Sequence, residues 1–210
     1  MIPHSESLQA ELANSISHGF GLLFGIVGVP LLIATATMNG NVPGIVGASI
    51  FGFAFLMMFT ASTLYHGFRQ PQVKRVLQII DHISIYVLIA GTYTPFILLY
   101  LLNPAGITML SILWGMTLLG VIYKIFFLGK YKRLSLAIYL SMGWMLLFVA
   151  KPFFESVSAA TLTLVVSGGI LYTLGVIFYR WESLRFHHAI WHLFVLAAAL
   201  CHYVAVLLSV

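Results

Sequence analysis

The chain has 210 residues, 61% of them hydrophobic and 7% charged, and its mean hydropathy is +1.04. Soluble domains carry about 25% charged residues. This composition therefore cannot cover a water-facing surface, and it excludes a soluble enzyme, a disordered chain and a disulfide scaffold, the last also because Cys201 is the sole cysteine.

A helix needs about 20 apolar residues to cross the hydrocarbon core, and turn residues divide the sequence into seven such stretches. No Lys or Arg precedes Arg69, so the basic start of a cleaved signal peptide is missing. The first span is predicted at 18–38, where Gly21, Gly25 and Gly28 make a small-residue face for close helix packing, and it ends at the turn Asn39-Gly40-Asn41. The second, 43–66, stops before Gly67 and the loop around Arg69. The third, 78–100, contains Pro95, where a kink is expected. Asn103-Pro104 opens the fourth, 105–127. The fifth, 134–150, stops at Lys151-Pro152, and the sixth and seventh cover 158–179 and 188–209. Tyr65, Tyr100, Tyr131, Tyr179 and Trp181 fall near span ends, as interfacial belts do. No linker is long enough to separate domains. Residues 1–210 are expected to form one all-α domain, a polytopic seven-transmembrane helix bundle.

The ten basic and five acidic residues give a formal charge of +5. The bases are scattered over short loops, with no basic stripe or interleaved aromatic platform, which argues against nucleic acid as a partner. They read instead as topology signals and as attraction to anionic headgroups. Arg69, Lys74, Arg75, Lys124, Lys130, Lys132, Arg133, Arg180 and Arg185 fall on the N-terminal side of the seven-span scheme, and Lys151 alone falls on the other. The positive-inside rule then places the N-terminus in the cytoplasm and the C-terminus outside it.

Ionisable residues inside a bilayer cost about 2.5–3.5 kcal/mol each on insertion scales, so each needs a partner or a function. Glu11, Asn14 and His18 lie on one helical face leading into the first span. Ser62 and His66 are an i, i+4 pair at the end of the second, and Asp81 and His82 open the third. His188 and His192, another i, i+4 pair, open the seventh. Topology brings these four clusters to one side and one depth. His202 lies ten residues beyond His192, about 15 Å deeper along the helix.

An i, i+4 histidine pair directs two imidazoles to one face, as in helical zinc sites. His66 from a neighbouring helix would complete a three-His set with an open fourth position, the catalytic pattern. Zinc there would supply hydroxide at neutral pH, Asp81 could accept a proton from that water, and Ser62 could hydrogen-bond Asp81, the water or a substrate carbonyl. Simpler roles exist for each residue. Asp81 could pair with Arg69 or Lys74; Glu11, Asn14 and His18 could form a solvated face; Ser62 could bond its own helix. His4, His82, His187 and His202 read as partners of headgroups or backbone carbonyls.

Four stretches carry a family resemblance: ELANSISH at Glu11–His18, STLYH at Ser62–His66, IDHISIYVLIAGTYTPF at Ile80–Phe96 and HHAIWHLFVL at His187–Leu196. With the seven spans, the chain resembles the progestin and adipoQ receptor family, and in particular its bacterial branch, the hemolysin III-related inner membrane proteins. The resemblance implies a seven-helix fold with a cytoplasmic N-terminus. It also implies zinc held by His66, His188 and His192, with Asp81 contacting the zinc-bound water. It further implies kinship with alkaline ceramidases, which act on lipid amides. His82 follows Asp81 where receptor members carry an aromatic residue, and the head of the chain is short, so no hormone-receptor role is implied.

The leading expectation is a zinc-dependent hydrolase of lipid amide or ester bonds, with membrane lipids as substrate or ligand and a role in membrane lipid homeostasis. Catalysis would fall to Asp81 and Ser62, metal binding to His66, His188 and His192, and support of those ligands to Glu11, Asn14 and His18. A non-catalytic membrane regulator with a structural zinc is the alternative. A pore is a weaker one, since the polar residues gather at one end.

Overall fold

The computed structural model describes residues 7–210; His4 lies outside them. The helices begin where the sequence supplies an acceptor for orphan N–H groups. Ser7 caps α1 (Leu8–Met38), Asn41 caps α2 (Val42–Gly67), Asn103 caps α4 (Pro104–Phe127) and Ser158 caps α7 (Ala159–Arg180), each through its side-chain oxygen. Pro71 starts α3 (Pro71–Tyr100), a position that needs no N–H partner. Helix α8 (His187–Leu207) is entered through Phe186, whose φ of 59° is left-handed. That conformation costs a bulky residue about 1–2 kcal/mol.

Seven helical segments are long and apolar enough to cross a membrane, and no strand occurs among the described residues. The chain is a multi-pass membrane protein. Its outer surface carries large apolar side chains such as Val27, Phe126 and Phe148, each more than two-thirds exposed, which only a hydrocarbon solvent tolerates in such number. Helix α1 packs on α2 and α8, α2 on α3, and α7 on α8. Helix α3 touches α2, α4 and α8 and is the most buried of the seven.

Two helices run past their predicted starts. Helix α1 begins at Leu8 rather than at 18, and α3 at Pro71 rather than at 78. These extra turns are polar, so hydropathy stops short of them, yet they carry Glu11, Asn14 and Lys74 towards one another. Helix α3 also continues through Pro95. That ring lies on Gly47 of α2, where a Cβ would stand 2.5 Å from the Pro95 Cα. The small-residue face on α1 accommodates rings: Phe59 covers Gly21 and Phe55 covers Gly25.

The fifth crossing departs most from expectation. It is broken into α5 (Lys132–Gly143), a 3-10 segment (Met145–Val149) and α6 (Ala150–Ser156), so it neither forms one helix nor stops at Lys151-Pro152. Pro152 sits in the first turn of α6, where its missing N–H costs nothing. Broken backbone at membrane depth needs substitute partners, and Tyr93 of α3 supplies them. Its hydroxyl donates to the Gly143 carbonyl at 2.7 Å and accepts from the Leu146 N–H at 3.1 Å. Tyr93→Phe leaves both groups unpaired and is expected to destabilise the protein by about 1–3 kcal/mol. A thermal unfolding midpoint in detergent equal to that of the parent would refute this.

Candidate metal centre

The site is assembled where α1, α2, α3 and α8 meet at one end of the bundle. The i, i+4 spacing on α8 puts His188 and His192 on one face, and His66 approaches from the last turn of α2. One ring nitrogen from each of the three lies within 4.8 Å of the other two. The ring centroids are 4.6–5.2 Å apart. Tetrahedral zinc with bonds of about 2.0–2.1 Å holds its ligand nitrogens about 3.3 Å apart, so small side-chain rotations close the set.

The first turns of α1 aim these rings. Glu11 Oε2 accepts from His66 Nδ1 at 2.7 Å, and Asn14 Nδ2 lies 3.4 Å from the same nitrogen. On α8, His192 Nδ1 donates to the Asn14 carbonyl at 3.2 Å and lies 3.3 Å from the Ser17 hydroxyl. His18 stacks on His192 with centroids 3.7 Å apart and meets Phe59 edge-on. With Nδ1 of His66 and His192 committed to oxygen acceptors, each ring keeps Nε2 for another purpose. Nε2 of His66 is buried and has no hydrogen-bond partner among the described residues. A buried nitrogen without a donor partner, facing two other imidazoles, fits a cation better than it fits packing. The three histidines can hold a metal ion.

Asp81 and Ser62 are both buried and lie side by side. The Ser62 hydroxyl faces the Asp81 carboxyl but falls outside the geometry of a formed hydrogen bond. Asp81 lies within electrostatic reach of His66, yet its oxygens are not in the 4.8 Å set. The structure thus gathers Glu11, Asn14, His18, Ser62, His66, Asp81, His188 and His192 at one place. Asn14 and His18 are almost fully buried, so they form no solvated face. His187 meets the His188 ring edge-on at 6.1 Å and bonds the Phe178 carbonyl, whereas His202 stands apart and bonds that of Val165.

Two participants escape the sequence reading. Ser17, three residues after Asn14 and hence on its face, reaches His192. Lys74 pairs with Glu11 at 2.8 Å and donates to the Tyr65 carbonyl at 3.0 Å. Spacing along the chain offers Lys74 to Asp81 instead, but the extra turns of α1 put another carboxylate nearer. Removing a carboxylate that orients a ligating imidazole typically costs 10–100-fold in metal affinity. Glu11→Gln is therefore expected to bind divalent metal about 10–100-fold more weakly, as read by competition with a chromophoric chelator; unchanged affinity would show that Glu11 does not position His66.

The chain has relatives among known proteins along nearly its whole length. The family described as Haemolysin-III related matches residues 6–203. The "Hemolysin-3 homolog" of Bacillus subtilis (strain 168) is 44% identical over 201 residues, covering 96% of this chain and 94% of that protein. "Hemolysin-3" of Bacillus cereus is 39% identical over 206 residues, covering 98% and 94%. The human "Monocyte to macrophage differentiation factor" is 32% identical over 200 residues, covering 92% and 82%. The chain belongs to the haemolysin III-related family of membrane proteins, within the progestin and adipoQ receptor group.

Proposed function

We propose that the protein is a zinc-dependent hydrolase that cleaves amide or ester bonds of membrane lipids at the cytoplasmic face of a bacterial inner membrane, and that this reaction serves membrane lipid homeostasis. The supporting observation is the clustering of His66, His188 and His192 within 4.8 Å, with a buried carboxylate and a buried hydroxyl beside them. Three protein ligands leave a coordination position open, the arrangement of catalytic rather than structural zinc. Zinc in that position supplies Lewis acidity and lowers the pKa of a bound water to about 7.

The chain's own residues divide the remaining work. The two oxygens of Glu11 are taken by His66 and Lys74, which leaves Asp81 as the free carboxylate of the site. Asp81 takes the proton from the attacking water and passes it to the leaving nitrogen or oxygen, a role worth about 10²–10⁴-fold in rate. Ser62 donates its hydroxyl to Asp81 or to the substrate carbonyl and so fixes the direction of attack. His18, stacked on His192, excludes water from the far side of that ring. The acyl chain lies among the apolar helix faces. The nine-to-one distribution of bases supports a cytoplasmic placement of this end.

Protein purified without chelators is expected to carry about one zinc per chain, and His188→Ala to lose it. Asp81→Asn should keep its zinc and its unfolding midpoint while its turnover of lipid amides and esters falls about 10²–10⁴-fold. Metal-free wild-type protein would overturn the proposal at its first step. Full activity in Asp81→Asn would leave only a structural metal in a non-catalytic regulator.

A further inference from the structure

Lys124 is the one lysine or arginine side chain buried among the described residues, with 5% of its surface exposed. It sits one turn inside the end of α4, where a lysine ordinarily extends its ammonium outward to water. Here the ammonium turns inward and donates to Ser135 of α5 at 2.8 Å. The rings of Tyr123 and Tyr139 flank it at 5.7 and 5.8 Å. Among the described residues, no carboxylate lies within 4.0 Å of it. An ammonium has three donors, and burying one without a counter-charge is expensive. The Tyr86 hydroxyl is also fully buried and faces Ser135 and Tyr139 without a formed hydrogen bond.

A half-open groove of about 310 Å³ is lined by Tyr86 and Tyr123; its Gly120 and Ile138 lie one helical turn along α4 and α5 from Lys124 and Ser135. Tyr86 of α3 makes its floor, α4 one wall and Ile138 of α5 the other. Gly120 gives the groove its depth, because a Cβ there would stand 2.7 Å from the Tyr86 ring. Leu119 on the rim is 67% exposed and belongs to the lipid-facing surface. The volume is at the lower end of ligand sites, and the lining is mostly apolar.

We propose that Lys124, Ser135 and the Tyr86 hydroxyl seat the headgroup of an anionic phospholipid, whose acyl chain lies in the groove between α4 and α5. The unneutralised ammonium calls for an anion, and the adjoining apolar groove calls for a chain attached to it. A zwitterionic head would bring its own cation beside the Lys124 ammonium, within 4.0 Å of which no described carboxylate lies. The site is separate from the histidine cluster and stands whether or not that cluster is catalytic. A route between the two exists, because Tyr139, against the Lys124 ammonium, donates to the His82 carbonyl at 3.1 Å, next to Asp81.

The test is thermal unfolding of the full chain in detergent with added phosphatidylglycerol, phosphatidylcholine of the same chains, or inorganic phosphate. A ligand that binds only the folded state raises the midpoint. Phosphatidylglycerol is expected to raise it by about 4 °C or more, with a much smaller rise for phosphatidylcholine and none for phosphate. Lys124→Gln should abolish the difference between the lipids, whereas Lys130→Gln, at an exposed base, should keep it. Native mass spectrometry of the wild type gives a readout that does not depend on the variant folding, and should show one phosphatidylglycerol retained per chain in preference to phosphatidylcholine. Equal effects of the two lipids, a preference that survives Lys124→Gln, or an equal shift with phosphate alone would each overturn the proposal.

Discussion

A bilayer interior offers polar groups no solvent, so each must be satisfied by another part of the protein. That constraint organises this molecule, and Glu11 shows it most directly. One oxygen of its carboxylate binds His66 of α2 and the other binds Lys74 of α3. The start of α1 is thereby pinned to the end of one helix and the beginning of another. The same turns of α1 offer the Asn14 carbonyl and the Ser17 hydroxyl to His192 of α8. Three other helices are thus held by one polar helix face, and the positions of the imidazoles follow from it.

The constraint also accounts for the irregular features. The break in the fifth crossing persists because the Tyr93 hydroxyl serves a carbonyl on one side of it and an N–H on the other. The left-handed Phe186 before α8 is a local cost at the edge of the site, and backbone strain of this kind gathers at functional places. It sets the first turn of the helix that carries His188 and His192. Lys124 is the exception, since its charge is met within the protein by one hydroxyl and two aromatic rings. Where a polar group inside a membrane protein lacks an adequate internal partner, an external one is the natural place to look.

Several features are legible in the order of residues alone. Seven spans follow from hydropathy and punctuation because each crossing must be long and apolar. The candidate site follows from scarcity: with so few ionisable residues, Asp81, His66, His188 and His192 can be compared for depth one by one. The i, i+4 periodicity fixes which side chains of a helix share a face, so His188 and His192 pair by spacing. Lys74 and Ser17 cannot be assigned in that way. Their partners, Glu11 and His192, lie on other helices, and only the packing angle decides whether a side chain reaches across.

By itself the sequence determined the solvent, the number of crossings and the end of the bundle where the polar residues collect, because these depend on composition and on distances along a helix. Tertiary structure decided which residues meet. It brought three imidazole nitrogens within 4.8 Å, gave Glu11 to Lys74 and left Asp81 facing Ser62. It also turned Lys124 inward to Ser135. Contacts between helices depend on their rotation and crossing, which are set by side-chain packing and by the need to pair buried polar groups. Both are properties of helices in three dimensions, and a linear order of residues does not contain them.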